Sequence, residues 1–539
     1  MITVSEAIAE ELHRAGVDRT FGLPGGEVLY LIDALREIGI EFTLCRHEAD
    51  AGIAAAVYGK LKRTPGVVIT TLGPGASNLM LPFSNSVLDR EPLLAISAQI
   101  PESWPATHTH QRIPFIDCYR PVTKFASAVN GHTARRTIRR ALELAIEEPA
   151  GPTYVTISTE QAIAAGLEFD DSREAFNPHQ AKATGSHGDP VAAARALRER
   201  LSTAERPLVL LGIGVDPIHA PQIRRWLDNW GLDVGVTPKI KGIVDETASN
   251  FIGVVGGMSI DGTILEALHE SDLIVSFGFD PVEVDKTWHA ELPISWVLEA
   301  PLAMGIVPTK DCFFASHGEI LEQMIAMGAP KSWDPSFEDT KAKRRACWEQ
   351  SRVDEPDLSH HPVSIVRALA EAVPAETIVT TDVGSHKYLF GQFWTSRQPE
   401  TFFMSNGLSG MGYGIAAALG AKLARPNVPV LAAVGDGGFS MNSQELETAV
   451  RVGAPIIVLV LADSSYSLIH HSQLDKKLPN YGVDFNPIDS VKIAEACGVK
   501  GLRARDAATL AEAVMEAIAG DQSLVVEVPV EIDAYQGLV

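Results

Sequence analysis

The chain has 539 residues, too many for one compact core, so several domains of ordinary size are expected. Its formal net charge of −23 sets the surface against phosphate backbones and argues against nucleic-acid binding, and no run of about 18 apolar residues suggests a membrane span. Five cysteines (Cys45, Cys118, Cys312, Cys347 and Cys497) lack CxxC spacing, which argues against a disulfide framework or a thiolate zinc site and points to a reducing, cytoplasmic compartment.

The opening segment MITVSEAIAEELHRAG reads as a short strand and an amphipathic helix over Ser5–Ala15, without the basic start and apolar stretch of a signal peptide. Further helical periodicity covers Ala49–Leu61 and Ala134–Ile146. Apolar strands are expected at Gly66–Thr70, Pro92–Ile96 and Thr153–Ile157. A polar, aperiodic stretch of roughly 165–190 reads as a linker. A second α/β block follows, with strands at Pro207–Leu211 and Leu273–Ser276. The charged stretch Lys331–His360 reads as another linker, and a third block carries strands at Ile378–Thr381, Val430–Val434 and Ile456–Leu461. Continuous apolar strands suit parallel sheets covered on both faces. The expectation is an α/β protein of three doubly wound parallel-sheet domains, 1–165, 190–330 and 360–539.

The most informative segment is Gly435-Asp436-Gly437-Gly438 at the end of an apolar strand. Glycines there let backbone N–H groups approach a diphosphate, and an aspartate there can hold Mg²⁺. A helix is expected to begin only afterwards, near Ser443. The next strand ends in Ala462-Asp463-Ser464-Ser465, and Asp463 stands 27 positions after Asp436. That is one helix and one returning parallel strand, so the two carboxylates should reach neighbouring strand ends, where each repels the other unless a cation intervenes.

This spacing resembles the cofactor motif of thiamine-diphosphate enzymes, although Ala462-Asp463 stands where the commonest pattern has Asn-Asn. The resemblance spans nearly the whole chain. Phe21-Gly22-Leu23-Pro24-Gly25-Gly26 is similar to the N-terminal loop of acetohydroxyacid synthases. Arg46-His47-Glu48 resembles the junction that carries the family's catalytic glutamate, and Thr71–Asn78 resembles its glycine-rich loop. Asp382–His386 and Asn406–Gly412 resemble further cofactor loops. The resemblance implies thiamine diphosphate and Mg²⁺ as cofactors, with Asp436, Asp463 and the Ser465 carbonyl as metal ligands. It implies cofactor contacts from Gly384, Ser385, His386, Gly407, Ser409, Met411, Gly435, Gly437, Gly438, Tyr466 and Ser467. Glu48 would promote deprotonation of the cofactor, and Gln111, His110 and Gly26 would lie at the catalytic end.

Phe277–Glu283, Asp463–Tyr466, Val483–Phe485 and Thr109–Gln111 lean towards the FAD-independent catabolic acetolactate synthases, so FAD is not expected. The resemblance then implies decarboxylation of a 2-oxo acid, with pyruvate favoured, and ligation to a second carbonyl compound. It also implies a homodimer or homotetramer with active sites between subunits. Two features pull elsewhere. Glu27 stands where such relatives usually carry a lysine. His108 and His110 evoke the histidine pair of simple 2-oxo-acid decarboxylases, although the reading favoured is that His108 is exposed and only His110 and Gln111 line the site. A non-ligating decarboxylase, an aldehyde-accepting carboligase and, from another class, a catalytically silent cofactor-binding subunit remain as alternatives. A zinc hydrolase is poorly supported, because His360-His361 and His470-His471 lack HExxH spacing. Gly212-Ile213-Gly214 alone is too little for a nicotinamide enzyme.

Overall fold

The computed structural model describes residues 2–166, 188–256, 261–284, 287–302, 308, 311–333, 337–350 and 357–538. The chain divides into two compact units. The first joins Met1–Thr184 to two later segments, Ala416–Pro426 and Gln444–Ala454; the second holds the remainder.

The first unit is built on a six-stranded sheet with strands Arg19–Leu23 (β1), Glu41–Leu44 (β2), Gly66–Thr70 (β3), Leu93–Gln99 (β4), Phe125–Ala128 (β5) and Pro152–Ser158 (β6). Neighbouring strands all pair in parallel, in the order β2-β1-β3-β4-β6-β5. The order reverses between β1 and β3, which opens a crevice at their carboxyl ends where ligands bind in open α/β sheets. The N-terminal strand expected from sequence shrinks to a single bridge between Thr3 and Ala165. Thr3 instead caps the helix Val4–Arg14, its hydroxyl accepting from the Glu6 N–H at 3.2 Å while the Glu6 carboxylate accepts from the Thr3 N–H. This reciprocal cap satisfies two helix-end donors and outweighs the apolar start.

The second unit holds two sheets. One comprises Pro207–Leu211 (β7), Asp233–Val236 (β8), Phe251–Val254 (β9), Leu273–Phe277 (β10), Ile294–Leu298 (β11) and Cys312–Phe314 (β12), in the order β12-β11-β10-β7-β8-β9. Alternate residues of a strand face opposite sides. Val209 and Leu211 accordingly enter one core with Trp226 and Phe277, and Leu208 and Leu210 enter another with Ile274 and Phe279. Both faces are buried, which explains the unbroken apolar run. The other sheet comprises Ile378–Thr381 (β13), Phe402–Met404 (β14), Val430–Gly435 (β15), Ile457–Ala462 (β16), Lys500–Arg503 (β17) and Leu524–Pro529 (β18), in the order β14-β13-β15-β16-β18-β17. It repeats the strand order of the first sheet, so its reversal lies between β13 and β15. The α/β class with three parallel sheets agrees with the sequence reading.

The stretch Lys331–His360 departs from that reading. It contains a helix, Glu338–Gln350, rather than an uninterrupted linker. That helix has no apolar stripe for periodicity to detect. It is held instead by charged side chains: Lys341 pairs with Asp233 at 2.7 Å, and Arg344 lies over the Phe251 ring at 4.6 Å. Most of the other expected linker, 167–187, lies outside the described residues; the helix Pro190–Thr203 follows, capped by Asp189.

Candidate active site

In the second unit the strand ends at the reversal converge on a cavity of about 100 Å³. Strand β13 runs into Asp382, whose side chain is fully buried. Its carboxylate accepts from the N–H groups of Val383 at 2.6 Å, Gly412 at 3.0 Å and Gly414 at 3.4 Å. One acid thereby fixes the β13 turn and the Asn406–Gly412 loop together. Burial pushes its pKa up to about 6 despite those hydrogen bonds. A Cβ on Gly438 would meet an Asp382 oxygen at 2.7 Å, so only glycine fits there.

The helix Ser385–Phe393 starts directly after Gly384. The Ser385 hydroxyl lies 2.8 Å from that of Ser467, and both residues line the cavity. His386 is buried, and burial lowers its pKa to about 3, so its ring is neutral at physiological pH. Its Nε2 is buried and has no partner among the described residues. A buried ring nitrogen left unpaired beside a cavity is the mark expected of a group that meets a polar ligand.

Strands β15 and β16 pair in parallel with Gly435 opposite Leu461, which brings Asp436 and Asp463 to adjacent strand ends. Asp436 accepts from the Ser464 N–H at 2.8 Å and the Gly437 N–H at 2.9 Å, and Asp463 accepts from the Ser465 N–H at 3.0 Å. Burial, followed by the charge of Asp436, raises the Asp463 pKa to about 7; burial raises that of Asp436. Two desolvated carboxylates that hinder each other's ionisation form a donor set that a divalent cation would relieve. Among the described residues no cluster of three or more His, Cys, Asp or Glu side chains could hold a metal. A magnesium ion here would therefore need the Ser465 carbonyl and cofactor oxygens besides Asp436 and Asp463. The residues present fit such a group. Ser465 is held from the other side by Asp484, which accepts its hydroxyl at 2.8 Å.

One local expectation is corrected. Asp436 begins a short helix, Asp436–Asn442, ahead of the helix expected near Ser443, which starts at Glu445. Glycines at its first turn hid the helix from propensity, yet they are what the packing requires: a Cβ on Gly437 would lie 2.8 Å from the Tyr466 ring. Gly384, Ser385, His386, Met411, Gly435, Asp436, Gly437, Gly438, Asp463, Ser465, Tyr466 and Ser467 all line the cavity. Gly407 and Ser409 do not. The Ser409 hydroxyl instead accepts from Lys387 Nζ at 2.9 Å and braces the loop. Sequence reasoning placed Asp382 in a cofactor loop without giving it a role and did not single out Tyr535, whose buried ring lines the cavity from the far end of the chain.

In the first unit Glu48 opens the helix Glu48–Lys62. It is buried, and its Oε2 accepts from Asn78 Nδ2 at 2.9 Å. Its Oε1 lies 3.4 Å from where a Gly75 Cβ would stand, so the glycine-rich loop passes directly over the carboxylate. The strand-to-helix junction is fixed by Glu445, which accepts from the N–H groups of Arg46 at 2.7 Å and His47 at 3.2 Å. Neither Asn78 nor Glu445 was singled out from sequence; Glu445 is nearly four hundred residues away, and no local pattern could reveal it.

At the β1–β3 reversal Gly25 packs on Thr71, whose Oγ1 donates to Glu27 at 2.9 Å. Gly26 has open space around it. Gln111 adopts a left-handed backbone, and its side chain lies 3.0 Å from where a Gly73 Cβ would stand. Gln111 therefore joins the glycine-rich loop. His108, expected to be exposed, is half-buried against Trp104, with ring centroids 4.5 Å apart, and His110 is exposed.

Comparison with known proteins points to one enzyme family. Three family profiles match in order: the N-terminal TPP binding domain of thiamine pyrophosphate enzymes over residues 2–117, their central domain over 194–311, and their C-terminal TPP binding domain over 382–528. The chain is 28% identical to an acetolactate synthase of Bacillus subtilis (strain 168), over 98% of this chain and 93% of that protein. It is 29% identical to the acetolactate synthase isozyme 2 large subunit of Escherichia coli (strain K12), over 92% and 89%, and 28% identical to a catabolic acetolactate synthase of Raoultella terrigena, over 98% and 95%.

Proposed function

The chain belongs to the thiamine-diphosphate-dependent, acetolactate synthase-like enzymes, and from that premise we propose that it decarboxylates a 2-oxo acid, pyruvate first, and joins the remaining fragment to a second carbonyl compound. The observation that carries this reading is the pair Asp436 and Asp463 at adjacent strand ends, beside the unpaired Nε2 of His386.

Asp436, Asp463 and the Ser465 carbonyl would hold Mg²⁺. Gly384, Ser385, His386 and the N–H groups of Gly437 and Gly438 would hold the diphosphate, and Met411 would support the rings. Bound thiamine diphosphate supplies a carbon nucleophile and an electron sink for decarboxylation. The chain's own residues do the rest. Glu48, buried and oriented by Asn78, exchanges a proton with the aminopyrimidine. Gln111 and the open space at Gly26 orient the substrate. The apolar lining formed by Leu461 and Tyr535 excludes water.

FAD is not expected, and the central sheet supports that view. At the end of β7 the Ile213 N–H donates to Glu283 at 2.8 Å, and the Gly214 N–H donates to the Gly278 carbonyl at 2.8 Å. The glycine turn is thus closed on the chain's own loop. Burial raises the Glu283 pKa to about 7.

Glu27 favours a second reading. Its carboxylate is fixed beside Gly25 by Thr71, and a negative charge there would weaken an anionic acceptor and favour an aldehyde. Assembly as a homodimer or homotetramer is supported by exposed apolar side chains, including Leu29, Tyr30, Met80 and Leu81 in the first unit and Ile469, Leu474, Leu478 and Tyr481 in the second. A cytoplasmic location is supported by four unbonded cysteines, Cys45, Cys118, Cys312 and Cys497. No helix among the described residues is long and apolar enough to cross a membrane.

Product analysis by NMR with labelled pyruvate, thiamine diphosphate and Mg²⁺ tests the assignment. Acetolactate is expected. Acetaldehyde alone would move the enzyme to the decarboxylases, ligation only when an aldehyde is added would establish the second reading, and no pyruvate consumption would overturn pyruvate as donor.

A further inference from the structure

A second cavity, of about 370 Å³, lies in the second unit against the edge strand β9, and it shares no lining residue with the cofactor cavity. Its volume is in the range of small-molecule sites. One wall is the helix Glu338–Gln350, which supplies Lys343, Arg344, Arg345 and Trp348. Phe251 and Phe393 add aromatic surface.

The charges around it do not balance. Lys341 is paired with Asp233 and Glu338, Lys343 with Glu266 at 2.5 Å, and Arg345 with Glu338 at 3.8 Å. Of the two carboxylates in the lining, Glu349 is exposed. The other, Glu246, is claimed by Lys241 at 2.8 Å and by the Ser396 N–H at 3.0 Å. Arg344 has no ion pair among the described residues. Its contacts are the Phe251 ring, with the guanidinium 4.6 Å from the centroid, and the Glu246 carbonyl at 3.2 Å. A desolvated guanidinium held by no ion pair is costly, and burial depresses its pKa although the nearby Glu246 charge, shared with Lys241, works against that shift. Retaining it beside an aromatic-walled cavity suits a ligand that brings an anion within ion-pair distance.

We propose that this cavity is a second ligand site, for a small anion attached to a flat aromatic ring, with Arg344 holding the anion and the aromatic walls holding the ring. A nucleoside monophosphate and a fused-ring aryl carboxylate share that chemistry. Gln392 and Phe393, in this cavity, belong to the helix whose first residues, Ser385 and His386, line the cofactor cavity, so both ligands would touch one helix.

The test uses full-length protein loaded with thiamine diphosphate and Mg²⁺, so that the diphosphate site is filled. Adenosine monophosphate, naphthoate and inorganic phosphate are titrated separately, read by calorimetry and by tryptophan fluorescence from Trp348. Saturable binding of one aromatic anion is expected, and which one binds identifies the source. Arg344→Gln should weaken it about tenfold or more with only a small drop in Tm, because one ring contact and one hydrogen bond to a carbonyl are lost but no ion pair. Thr263→Trp, which fills the cavity, should abolish it while pyruvate turnover persists. Saturation by neither aromatic anion, equal affinity for bare phosphate, or unchanged affinity in Arg344→Gln would each overturn the proposal.

Discussion

Glu48 and Asp382 are both buried acids, but their surroundings suit them to different work. Glu48 has one side-chain donor, Asn78, and stands under the glycine-rich loop, free to exchange a proton with a ring placed there. Replacing it with glutamine keeps the hydrogen-bonding shape and removes the proton exchange. Glu48→Gln should therefore bind thiamine diphosphate with near-normal affinity while kcat falls about a thousandfold. Full turnover in steady-state assays would remove Glu48 from the mechanism. Asp382, by contrast, is satisfied by backbone donors and works as a clamp. Its folded-state pKa of about 6 lies above its unfolded value, so the folded chain binds its proton more tightly. The stability it contributes is full below the unfolded value and is lost as pH rises towards and through about 6. The loss amounts to roughly 3 kcal/mol in all. Thermal melts of cofactor-free protein between pH 4 and pH 7 should show that slope, and Asp382→Asn should flatten it, though from a lower starting stability. An unchanged slope in the variant would assign the titration elsewhere.

At the scale of elements, the parallel pairing of β15 and β16 is what turns two separate aspartates into one donor set. The expected magnesium site follows from strand register more than from either residue. Asp436→Ala should lower Mg²⁺-dependent affinity for thiamine diphosphate by at least about tenfold, measured calorimetrically, and should leave affinity without metal little changed. Equal loss with and without Mg²⁺ would make Asp436 a structural cap. The same logic explains the errors of reading at this scale. Asp436–Asn442 is helical although it opens with glycines, and Glu338–Gln350 is helical although it lacks an apolar stripe. In the first, packing outweighed local propensity; in the second, Glu, Lys, Ala and Arg favour a helix that periodicity alone does not report.

For the molecule as a whole, the three sheets fall into two topologies. The first and third share one strand order, and the central sheet has another. Each of the two related sheets places glycine turns at its own reversal, where ligands bind in open α/β sheets. The exposed apolar side chains beside these regions are expected to be covered by a second copy. Sedimentation should give a dimer or tetramer, and specific activity should fall on dilution below the dissociation constant. A monomer with constant specific activity would place a complete site in one chain.

The sequence alone carried the strands and the α/β class, because buried parallel strands are continuous apolar runs, and it set Asp436 and Asp463 at neighbouring strand ends, because one helix and one strand separate them; most other cavity-lining residues came from the family resemblance. It left out Glu445, which holds the Glu48 junction from nearly four hundred residues away, and Asn78 and Tyr535, whose partners no local period reports. It also expected His108 to be exposed, whereas the Trp104 ring packs against it. Periodicity and spacing record what a residue does for its own element. Which distant donor a carboxylate meets, and which cation is left without an ion pair, is decided only when separate elements pack together.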